Sequence, residues 1–94
     1  MARPQILVVE DERIIAQNIQ NILNNLGHGI SGLVSSGKAA IKKVEETQPD
    51  LILMDIKLKG EMNGVEASEK IRERFDIPVV YLTVYADDKT LQRA

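Results

Sequence analysis

Short apolar runs alternate with longer amphipathic stretches along the whole chain. Four runs stand out: Ile6-Leu7-Val8-Val9, Gly29-Ile30-Ser31-Gly32-Leu33-Val34, Leu51-Ile52-Leu53-Met54 and Val79-Val80-Tyr81-Leu82. Three of these are continuously apolar, which predicts strands covered on both faces, as in a parallel sheet. Between the first two runs, Ile14, Ile15, Ile19, Ile22, Leu23 and Leu26 recur at helical spacing, and Gly27 ends the helix. The second connection, from Gly37 to Thr47, sets Ala40, Ile41 and Val44 on one face. Ser36 is its N-cap and Pro49 closes it. The third, from Asn63 to Phe75, lines up Val65, Ser68, Ile71 and Phe75, and Pro78 opens the next strand. A final segment, Asp87 to Ala94, begins as a helix would. The order β-α-β-α-β-α-β predicts an α/β fold with an open, doubly wound parallel sheet and helices on both faces.

Composition narrows the function classes. The 94 residues suffice for one domain at most. Twelve Lys and Arg are interspersed with 14 Asp and Glu, a net charge of -2. No basic patch therefore invites direct nucleic-acid contact or an anionic membrane. No apolar run approaches the roughly 20 residues that span a bilayer. Met1-Ala2-Arg3-Pro4 leads straight into the first strand and resembles neither a secretion signal nor a transit peptide, so a cytoplasmic location is expected. The absence of cysteine excludes disulfides, thiolate metal sites and thiol redox chemistry.

In open α/β sheets functional groups gather at the carboxyl ends of the strands. The first strand ends in Glu10-Asp11-Glu12, the third in Asp55 and the fourth in Thr83. The second ends in Ser35-Ser36-Gly37, a turn and helix cap. Carboxylates converging on one crevice repel one another and need a cation. Oxygen ligands alone suit magnesium or calcium, and magnesium takes one or two carboxylates plus waters and a phosphate. A carboxylate beside such a cation can attack phosphorus and form an acyl phosphate. Phosphoryl transfer asks for alignment and for charge stabilisation on the equatorial oxygens, and Thr83 is placed to donate to one of them. Each group alone has a plainer reading: Glu10 and Asp11 as acids at a helix N-terminus, Asp55 as a turn cap, Thr83 as a strand residue. The combination carries the case. His28, in a Gly-His-Gly turn, reads as a surface loop residue, and Gly60 and Gly64 read as serving backbone freedom after the third strand.

The chain resembles the receiver domains of two-component response regulators. The resemblance rests on Ile6-Leu7-Val8-Val9-Glu10-Asp11-Glu12, Pro49-Asp50-Leu51-Ile52-Leu53-Met54-Asp55-Ile56, Asn63-Gly64-Val65-Glu66-Ala67 and Ile77-Pro78-Val79-Val80-Tyr81-Leu82-Thr83. It implies a flavodoxin-like (βα)5 fold with strand order 2-1-3-4-5. It also implies magnesium-dependent transfer of phosphate to Asp55 from a histidine kinase or phosphotransfer protein. Glu10 and Asp11 would position Mg2+, Asp11 directly and Glu10 through water, with a backbone carbonyl from Lys57. Thr83 would be the switch hydroxyl. The tail from Tyr81 to Ala94 is similar to receivers attached to sensor or kinase modules, and the resemblance leaves room for a homodimer. Such a domain is not an enzyme beyond handling its own phosphate.

Receivers also have a fifth strand and helix, with a lysine that pairs with the phosphoryl group. Residues 1–94 contain neither, so they read as one receiver domain incomplete at its C-terminus. The apolar fourth strand, otherwise uncovered, favours a continuation past Ala94 over a fragment. A dehalogenase-type phosphatase would need an acid where Lys57 stands. A flavodoxin would place its flavin phosphate against Glu10, Asp11 and Glu12, which repel it. The rival that remains is a receiver-like interaction module that is never phosphorylated.

Overall fold

The computed structural model describes residues 4–58 and 60–82. Strand β1 (Gln5–Val9) leads into helix α1 (Arg13–Asn25), then β2 (Gly29–Val34), α2 (Gly37–Thr47), β3 (Leu51–Asp55), α3 (Gly64–Arg74) and β4 (Val79–Leu82). All pairings are parallel, in the order β2-β1-β3-β4. The chain thus has the doubly wound α/β architecture expected from its alternating pattern, in the flavodoxin-like strand order that the receiver resemblance implied. The Asp87–Ala94 segment lies outside the described residues.

Side chains alternate between the two faces of a strand, and here each face has its own core. Ile6 and Val8 of β1 pack with Leu23, Ile19, Ile30, Leu51 and Leu53 on the α1 side. Leu7, Val9, Ile52 and Met54 pack with Ala40 and Val44 of α2 and Ala67 and Ile71 of α3 on the other. This two-sided burial is why β1 and β3 carry unbroken apolar runs. β1, paired on both sides, has four consecutive buried residues from Ile6 to Val9.

The helix ends are set by local chemistry. Glycine 27, at φ +86, follows α1; its N–H donates to Asn24 O and that of His28 to Leu23 O. These two bonds make a left-handed terminating turn that glycine fits best. Ser36 Oγ accepts from Ala39 N at 3.1 Å to open α2. Asn63 and Glu66 exchange side-chain and backbone bonds at the start of α3, a reciprocal cap. The end of α2 is less well matched, because Gln48 sits in left-handed backbone at φ 44. That conformation crowds a Cβ, and the cost exceeds the entropy a glycine would lose. Gln48→Gly is therefore expected to stabilise the fold by about 0.5 kcal/mol and raise Tm by about 2–4 °C. Thermal unfolding followed by circular dichroism checks it; an unchanged or lower Tm would refute it.

The apolar face of α1 extends beyond what the sheet covers. Ala16 and Leu23 are buried, whereas Ile14, Ile22 and Leu26 are exposed. β4 pairs only with β3 among the described residues, and Val80 on it is exposed.

Candidate metal and phosphoacceptor site

Adjacent parallel strands bring the acids together. β1 and β3 are paired in register with Val9 opposite Met54, so both strands finish at the same level. Asp55 is the last residue of β3, and Glu10 follows β1 with its N–H donating to Val34 O at 3.0 Å. Glu10 and Asp55 are each only 4% exposed, and Asp11 is half-buried. One carboxylate oxygen from each of Glu10, Asp11 and Asp55 falls within 4.8 Å of the others.

Backbone N–H groups hold two of these carboxylates. Glu12 N donates to Glu10 Oε2 at 3.1 Å, and Lys57 N donates to Asp55 Oδ1 at 3.2 Å. Glu10 Oε1 is buried and has no hydrogen-bond partner among the described residues. Burial, the largest cause, pushes the Glu10 carboxyl up to about 7; the Asp55 and Asp11 charges add to this, and the Glu12 N–H opposes it. A buried carboxylate oxygen without a donor is costly, and a divalent cation would relieve that cost. The donor set is all oxygen, which fits a hard cation such as magnesium or calcium. Beside the acids a cleft of about 480 Å³ opens, lined in part by Glu10, Asp11, Arg13, Gln17 and Ser35.

The structure brings together Glu10, Asp11 and Asp55 as the strand ends predicted. It sets the backbone of Lys57 beside Asp55 through the N–H, with the side chain exposed. Thr83 lies outside the described residues. His28, half-buried behind α1, is not among the clustered acids. Pattern reasoning missed two features around Asp55. Gly64 opens α3 directly against the Asp55 carbonyl. Ser68 and Tyr81, both read as packing positions, share a hydrogen bond between α3 and β4. A glycine at the first position of a helix, where ordinary helical backbone suits any residue, was the available signal for the first.

Residues 6–94 match the family described as the response regulator receiver domain. The chain belongs to this family. Receivers of this kind serve two-component signalling, and response regulators are among the relatives of this one. The receiver is 39% identical over 92 residues to the response regulator protein VraR of Staphylococcus saprophyticus, covering 96% of this chain and 44% of that protein. It is 42% identical to the N-terminal domain of a response regulator/sensory box/GGDEF 3-domain protein from Carboxydothermus hydrogenoformans, with a TM-score of 0.81 over 88% of this chain and 66% of that one. The signal receiver domain of a modulated diguanylate cyclase from Desulfovibrio desulfuricans G20 superposes with a TM-score of 0.85 at 32% identity, covering 96% and 72% of the two chains. The receiver spans less than half the length of the curated relatives it matches. Among the described residues no helix is long and apolar enough to cross a membrane.

Proposed function

We propose that this receiver accepts a phosphoryl group on Asp55 and passes the change to a partner surface. The observation that carries this reading is the convergence of Glu10, Asp11 and Asp55 around a buried carboxylate oxygen that no described residue hydrogen-bonds. An interaction module that is never phosphorylated gains nothing from such a costly arrangement.

In the proposed reaction an Asp55 carboxylate oxygen attacks the phosphorus of a phosphohistidine on a kinase or phosphotransfer protein. The new O–P bond forms as the P–N bond breaks, the imidazole leaves with the electron pair and takes up a proton, and Asp55 becomes an acyl phosphate. Asp11, Asp55, Glu10 through water and the Lys57 backbone carbonyl would hold Mg2+. When bound, the ion supplies positive charge beside the phosphoryl oxygens. The chain's own groups do the positioning. The Lys57 N–H holds Asp55 Oδ1, which leaves Oδ2 as the attacking atom, and burial at the strand end keeps competing water away. Thr83, next after the Leu82 that pairs with Asp55, is assigned as the hydroxyl that reports the charge change to β4 and the segment beyond.

The sensory-box relative supports a place within a larger signalling protein, in the cytoplasm where kinases carry their phosphohistidine. The test is intact mass after incubation with Mg2+ and acetyl phosphate. Wild type is expected to gain one phosphoryl group and Asp55→Ala none. A folded wild-type protein that gains nothing, from acetyl phosphate or from a phosphorylated kinase, would leave the unphosphorylated interaction module as the function.

A further inference from the structure

α3 begins where the acceptor strand ends, and the two are in direct backbone contact. Gly64 is the first residue of α3 and has no positive φ, so its backbone conformation is open to any residue. The space beside it is not. A Cβ there would overlap the Asp55 carbonyl oxygen, lie 2.9 Å from the Asp55 carbonyl carbon and 3.0 Å from Ile56 Cα. These are backbone atoms, and no side chain can swing aside to make room. The Gly64 N–H meanwhile donates to Ile56 O at 2.9 Å. The start of α3 therefore seats on the peptide that carries the acceptor carboxylate.

α3 cannot relieve such a clash by backing away. Its first turn is held by the Asn63–Glu66 reciprocal cap, and Ala67, Ser68 and Ile71 are fully buried. Ser68 Oγ donates to Val65 O at 3.0 Å. That uses its one proton, so in its bond with Tyr81 the phenol O–H is the donor. Tyr81 sits next to Leu82, which is paired with Asp55. α3 is thus fixed to β3 at Gly64 and to β4 at Ser68, and added volume at Gly64 must be taken up by the Asp55–Ile56 peptide.

We propose that Gly64 is a positioning residue for the acceptor: its missing side chain lets α3 seat on the Asp55–Ile56 peptide and so aims the Asp55 carboxylate. The functional consequence rests on the phosphoacceptor reading; the positioning itself is a property of the fold. The experiment compares amide NMR spectra of wild type, Gly64→Ala and Gly27→Ala. Gly27 serves as control because no described residue lies within 4 Å of its added Cβ and its φ of +86 imposes strain alone. Gly64→Ala is expected to shift the Ile56 and Lys57 amides in the metal-free protein and to weaken Mg2+ binding about tenfold. It should also slow phosphoryl uptake about a hundredfold, the scale for a displacement near 1 Å. Gly27→Ala should do none of these. A Gly64→Ala protein with an unshifted Lys57 amide and the Mg2+ affinity of Gly27→Ala overturns the proposal. If wild type takes up no phosphoryl group, the proposed function fails and the metal-free amide comparison alone decides the role of Gly64. Should Gly64→Ala not fold, Tyr81→Phe frees α3 at its other anchor without adding volume. It should move the Lys57 amide and weaken Mg2+ about threefold, and no change in either would overturn the proposal.

Discussion

Replacing Glu10 with glutamine is expected to flatten the pH dependence of the metal-free fold and to stabilise it above neutral pH by up to about 3 kcal/mol. The sign follows from proton counting. Burial, reinforced by Asp55 and Asp11, lifts the Glu10 carboxyl from 4.5 to about 7 in the folded chain. Over that interval the folded state holds a proton that the unfolded state has released, so stability falls as pH rises and levels off above it. Glutamine carries no charge and pays no such penalty. Urea unfolding in EDTA at about pH 5 and pH 8 measures both slopes. Equal slopes for wild type and Glu10→Gln would sink the argument. Mg2+ is expected to reverse the order at the higher pH, stabilising wild type more than the variant, because a cation favours the ionised carboxylate that the variant lacks.

Ile71→Ala is expected to cost about 2–5 kcal/mol, a large share of the roughly 5–15 kcal/mol typical of a domain. Ile71 is fully buried among Leu7, Ile52, Met54 and Ala67, between α3 and the sheet. The same truncation at Ile14, which is 77% exposed, should change stability by less than about 0.5 kcal/mol, since alanine's better helix propensity offsets the small loss of contact. Urea midpoints at constant m compare the two. Similar losses at both positions would mean that Ile14 is covered in solution.

That contrast marks where the sequence was legible. The strands were readable because β1 and β3 are buried on both faces, and such strands have no room for polar residues. The caps at Ser36 and Gly27 were readable because each satisfies a specific backbone need. The acids were readable once the strand order was, since parallel neighbours end side by side. The burial of α1 was not readable in the same way. Its apolar arc spans Ile14 to Leu26, but the sheet covers only the side bearing Ala16 and Leu23. On α3, Val65 was grouped with Ser68 and Ile71, yet Val65 is exposed and the buried face carries Gly64, Ala67, Ser68 and Ile71. Apart from Ile71 that face is built from small residues, and Gly64 at its start brings the helix against the Asp55 carbonyl while leaving little hydrophobic signal. Gly64 in particular contributes by what it lacks, and a missing atom has no pattern.

The pairing of β1 with β3 has one more consequence. Glu10 and Asp55 come from distant stretches of chain, joined only when the two central strands lie side by side. A fragment that lacks either strand cannot assemble the cluster, and no partly folded copy with β3 detached can offer it. Cation occupancy would then count intact molecules, and a damaged copy would be silent rather than wrongly switched on.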